Sequence, residues 1–132
     1  MKRTLITAAA VAALSIGLAT SASAFSLSFS WAGLKLCNTG NPNVVGSPAF
    51  HVGGVPKGTT KISLYLHDND APDFNHGGGT VAYSGGTTLA GGAFRYQSPC
   101  PPGGHHHYVW SATAMDASGK VLGKASASKM YP

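Results

Sequence analysis

Apolar and polar residues alternate along most of this chain, and a period of two is the pattern of strands with one buried face. Over residues 25–31, Phe25, Leu27, Phe29 and Trp31 alternate with serines, which predicts a half-buried strand with the large side chains inward. Residues 61–67 repeat the pattern, with Ile62, Leu64 and Leu66 on the core face. The longest predicted strand covers 106–115: His106, Tyr108, Trp110 and Ala112 point one way, and His107, Val109 and Ser111 the other. A turn over 116–119 leads into its hairpin partner over 120–131. Shorter strands are predicted over 49–52, 80–84 and 93–97. Gly, Pro, Asn and Asp mark loops over 38–48 and 73–79 and turns at 55–59, 68–72 and 85–86. No stretch holds a helical period for three turns, so an all-β domain is expected.

The first residues follow a different pattern. Lys2 and Arg3 precede an apolar run over 5–19, and Ala22-Ser23-Ala24 is a small-residue cleavage site. This predicts an export signal over 1–24 and a single mature domain over 25–132. The run is too short and Ala-rich for a membrane anchor, and no second one follows, so no stable membrane insertion is expected. The expected location is the periplasm or the exterior. Loss of Lys2 and Arg3 takes the formal charge from +5 to +3. The remaining basic residues are scattered and form no basic stripe, so no nucleic-acid partner is expected.

Two cysteines, Cys37 and Cys100, are an even pair, and in an oxidising compartment an even pair reads as a disulfide. Metal or thiol chemistry is the alternative, but no C-x-x-C spacing favours it. Cys100 lies in a rigid segment, where Pro99, Pro101 and Pro102 fix φ and remove backbone donors. Gly103 and Gly104 then let the chain turn into the strand that carries His106 and Tyr108. Polar groups thus gather beyond strand ends: Asp68 and Asp70, His76, and His106 with Tyr108. Such groups bind an anion or move protons. Read singly, the aspartates are turn caps and the histidines surface residues. Neighbours in 105–107 point to opposite faces, so the three histidines cannot share one metal.

Three segments carry a resemblance. Ser47-Pro48-Ala49-Phe50, Asp68-Asn69-Asp70-Ala71-Pro72, and Pro101-Pro102-Gly103-Gly104-His105-His106-His107-Tyr108 occur in the order and spacing of motifs in the phosphatidylethanolamine-binding protein (PEBP) family. The segment from Asn75 to Val81 resembles the small exported bacterial members. The resemblance covers about Trp31 to Pro132. It implies an antiparallel β-sheet sandwich with few or no helices and a small anion pocket at one edge. On that resemblance Asp68, His76, His106 and Tyr108 line the pocket, Pro101 and Pro102 form its rim, and Asp70 orders the loop. The chain departs from the family at Asn69, where a Pro is usual, and at His107, where an Arg is usual. It also continues after His76 in three glycines and lacks the C-terminal helix of larger relatives.

The resulting expectation is a binding protein for a small anionic ligand of the phosphate or phospholipid head-group type. Neutral Nε2–H groups of His76 and His106, with the Tyr108 hydroxyl, are expected to donate to the ligand, and Asp68 to fix an imidazole tautomer. The alternative is a protein-interaction module, such as a secreted peptidase inhibitor or signalling modulator with a protein partner. Catalysis by Asp68 and His106 is not expected: no Gly-x-Ser-x-Gly elbow or free thiol accompanies them. No cofactor is expected. A zinc or copper site at Asp68, His76 and His106 is the remaining rival.

Overall fold

The computed structural model describes residues 10–13 and 24–132. The export signal expected over 1–24 lies outside the described residues, apart from 10–13 and Ala24. Nine strands form among the described residues: β1 (Ser26–Phe29), β2 (Val44–Gly46), β3 (Phe50–Gly53), β4 (Lys61–Asp68), β5 (Gly78–Ala82), β6 (Thr88–Leu89), β7 (Arg95–Gln97), β8 (His106–Met115) and β9 (Val121–Tyr131). All pair antiparallel, in a four-stranded sheet β5-β4-β8-β9, a three-stranded sheet β1-β3-β6 and a two-stranded ribbon β2-β7. The described residues contain no helix. The chain is all-β.

Alternation decides what is buried. Ile62, Leu64 and Leu66 of β4 lie inward, opposite Ala114, Ala112 and Trp110 of β8. Against this face pack Phe25, Leu27 and Phe29, Phe50 and Val52 of β3, Leu89 of β6 and Tyr96 of β7. Trp110 is fully buried, with the rings of Phe50, Tyr96 and Phe94 edge-on at 5.1, 5.0 and 5.9 Å. Such edge-to-face contacts suit the ring quadrupoles.

The strands expected over 25–31 and 93–97 are shorter, at Ser26–Phe29 and Arg95–Gln97, and three further elements differ from the sequence expectation. The loop over 38–48 contains β2, because Val44–Gly46 finds a ladder partner in Arg95–Gln97. Thr88–Leu89 adds a two-residue strand beside β3. The strand expected over 80–84 begins earlier, at Gly78. There the missing side chains matter: a Cβ on Gly78 would overlap the Leu64 carbonyl, and one on Gly79 would enter the Phe94 ring. Gly78→Ala is therefore expected to destabilise the fold by about 3 kcal/mol, the upper range for overpacking against groups that cannot step aside. A denaturant midpoint equal to that of the wild type would show that β5 can move off β4.

Candidate functional site

The inward positions of β4 run Ile62, Leu64, Leu66 and then Asp68, so the same period that builds the core places a carboxylate at its end. Asp68 pairs across the ladder with Tyr108, and Leu66 with Trp110. Two residues before Tyr108, on the same face of β8, is His106. Asp68, Tyr108 and His106 therefore meet where the apolar core stops. His76 arrives from the segment between β4 and β5, its Nδ1 2.8 Å from the Gln97 carbonyl oxygen, and the Gln97 N–H donates back to the His76 carbonyl at 2.8 Å. The end of β7 thus grips His76 on both its ring and its backbone.

These groups line a half-enclosed cavity of about 100 Å³ together with Phe74, Ala71, Gly40, Pro42, Cys100, Pro101 and Pro102. A water occupies about 30 Å³ in the liquid, so the space suits roughly one oxyanion-sized group. All six residues named from the sequence for the ligand site are found here. Asp70 is not among the lining residues; its Oδ2 accepts the His107 N–H at 2.6 Å and lies 3.1 Å from the His107 ring Nδ1. The His107 N–H, then its ring, hold the Asp70 carboxyl below its ordinary pKa. This exposed pair ties the segment after β4 to the outer face of β8.

Asp68 is buried and heavily used. Its Oδ1 accepts the Asp70 and Ala71 N–H groups at 2.9 and 3.2 Å, an Asx-type turn. Its Oδ2 lies 2.7 Å from His106 Nδ1 and 3.9 Å from His76 Nε2. Burial, and then the facing Asp68 carboxylate, push the Tyr108 hydroxyl well above the usual tyrosine range. Burial also lowers the pKa of His76, against the Gln97 carbonyl and Asp68, which favour its charged form. The Phe74 ring, 4.5 Å from that of His76, adds to its apolar surroundings.

This geometry corrects the expected donor pattern. Each imidazole has its Nδ1 against an acceptor, so a neutral ring keeps its proton there and presents a bare Nε2. The Tyr108 hydroxyl faces the carboxylate as well. In their neutral forms His76 and His106 therefore accept at Nε2 rather than donate. Among the described residues, no three His, Cys, Asp or Glu side chains are grouped to hold a metal ion.

Sequence reasoning missed Phe74 and the Gln97 carbonyl. Phe74 left a usable signal, a large aromatic inside an otherwise polar segment, but a backbone carbonyl leaves none. The disulfide Cys37–Cys100 forms, and beside it the Gly40 N–H donates to the Cys100 carbonyl at 3.1 Å. The Pro101–Pro102 rim is thereby joined to the segment carrying Gly40 and Pro42.

No family model and no curated protein matches the sequence. Among solved structures, the chain is similar to a phosphatidylethanolamine-binding protein homolog from Chlamydia trachomatis, with a TM-score of 0.60 and 19% identity over 84% of this chain and 99% of that one. It is also similar to Escherichia coli YbcL, described as a member of the mammalian PEBP family, with a TM-score of 0.56 and 17% identity over 81% of this chain and 97% of that one. The chain has the fold of the phosphatidylethanolamine-binding proteins.

Proposed function

We propose that this protein binds a small oxyanion, of the phosphate or phospholipid head-group type, in the cavity at the end of β4 and β8. The observation that carries the reading is the convergence of Asp68, His76, His106 and Tyr108 on one cavity of about 100 Å³ with an aromatic and proline rim. The names of the two similar structures point to the same ligand class. The disulfide fits an oxidising compartment, and the leader-like first residues fit export to it. Among the described residues no helix is long and apolar enough to cross a membrane.

The test is a thermal-shift series on the oxidised protein with phosphate, phosphoethanolamine and acetate at pH 6 and 8. Phosphate is expected to raise Tm, more at the lower pH, and His106→Ala to abolish the shift. The sign follows from burial of His76. Between its lowered folded pKa and the ordinary 6.5, the unfolded chain holds a proton that the folded chain lacks. Stability of the ligand-free protein therefore falls as pH drops through that window. A bound anion favours the charged rings and opposes the fall. Absence of any anion-dependent shift at both pH values would remove the oxyanion reading.

A further inference from the structure

The tautomers imposed on the two cavity histidines narrow the ligand class. A carbonyl oxygen only accepts, so the 2.8 Å contact with Gln97 keeps a proton on His76 Nδ1. An ionised carboxylate also only accepts, so the 2.7 Å contact with Asp68 keeps one on His106 Nδ1. With both rings neutral, the inner surface then offers two bare Nε2 atoms and a carboxylate, with Asp68 Oδ2 and His76 Nε2 facing each other at 3.9 Å. The titratable groups around them are these three and Tyr108, with Tyr131 of β9 behind Tyr108 at 6.4 Å and Asp70 and His107 on the outer face. Among the described residues, no Lys or Arg lines the cavity.

A fully ionised oxyanion entering this cavity would meet acceptors and a negative charge. A group that carries its own proton would instead meet two imidazole acceptors among the lining residues. We infer, resting on the oxyanion reading above, that the ligand is a hydrogen-bearing oxyacid, a phosphate or phosphate monoester rather than a phosphodiester, and that it is bound together with protons at Nε2 of His76 and His106. A phosphate monoester has its second ionisation near pH 6 and imidazole near 6.5, so a proton placed between P–O and Nε2 is shared by partners of similar basicity. A phosphodiester has no proton to offer in this range. It depends on charging His76, which burial opposes.

The experiment pairs two measurements on the oxidised, full mature protein. Nitrogen-detected NMR of the ligand-free protein at pH 8 reads the tautomers directly. Calorimetry with inorganic phosphate and with dimethyl phosphate, between pH 6 and 8 in buffers of different ionisation heat, counts the protons taken up. The expected result is Nδ1–H with bare Nε2 on both rings. Phosphate binding should take up about one proton or more at pH 7.5, with affinity rising about tenfold per pH unit for each proton. Dimethyl phosphate should bind at least about tenfold more weakly, the loss of one hydrogen bond to a charged group. An Nε2–H tautomer on either ring, phosphate binding without proton uptake, or equal affinity for the diester each overturns the inference and leaves the oxyanion reading standing. Failure of both probes to bind at any pH removes the oxyanion reading and the inference together.

Discussion

Removal of the disulfide, by Cys37→Ser with Cys100→Ser, is expected to lower folding stability by about 4 kcal/mol. The two cysteines are 63 residues apart, and in the chain-entropy model a crosslink of that span removes about this much disorder from the unfolded chain. Against a typical total of 5–15 kcal/mol this is a large share, and for a domain of this size it corresponds to a Tm lower by roughly 15–30 °C. The loss also reaches the cavity. Cys100 carries Pro101 and Pro102, and the segment after Cys37 carries Gly40 and Pro42, all of which line it. Non-covalent ties between the two segments remain: the Gly40 N–H donates to the Cys100 carbonyl at 3.1 Å, and the Gly103 N–H to the Asn38 carbonyl at 3.4 Å. If the double variant melts within about 5 °C of the oxidised protein, equivalent to about 1 kcal/mol, those ties and not the crosslink hold the rim.

Asp68→Asn is expected to have the second largest effect, and an unusual one. The side chain stays the same size, but one carboxylate oxygen becomes an NH₂. The oxygen can still accept from Asp70 and Ala71. The amide then points an N–H at His106 Nδ1, where a proton already sits. The ring resolves the conflict by moving its proton to Nε2, which makes His106 a donor into the cavity. Stability should fall by about 2 kcal/mol through loss of charge-assisted bonds. Phosphate binding should depend less steeply on pH, by about one proton, because a negative charge is gone and a donor is already present. Calorimetry across pH 6–8 checks this. A slope equal to that of the wild type would show that Asp68 does not set the protonation of the site.

Much of the architecture could be read from alternation because the two central strands are amphipathic along their whole length. β8 begins at His106 and ends at Met115, as the pattern predicts, since every inward residue from Tyr108 to Ala114 is buried. Strands β2 and β6 escaped notice for the opposite reason. Runs of three and two residues are too short to show a period, and their ladders depend on partners tens of residues away. Gly78 and Gly79 looked like loop residues, yet they join β5 because any side chain there would strike β4 or Phe94. At the cavity, the residue types were legible and their proton states were not. His76 takes its tautomer from a main-chain oxygen of β7, and no residue identity encodes that contact.

Asp68 and Tyr108 face each other on the last rung of the β4–β8 ladder, directly beyond Leu66 and Trp110. The walls of the cavity are thus continuous with the least exposed, most tightly held backbone of the molecule. A ligand arriving there finds its contacts already in place, so it loses little affinity to ordering of the protein. Binding should leave amide exchange in β4 and β8 nearly unchanged, with any added protection confined to the proline rim and to the turn from Asn69 to His76.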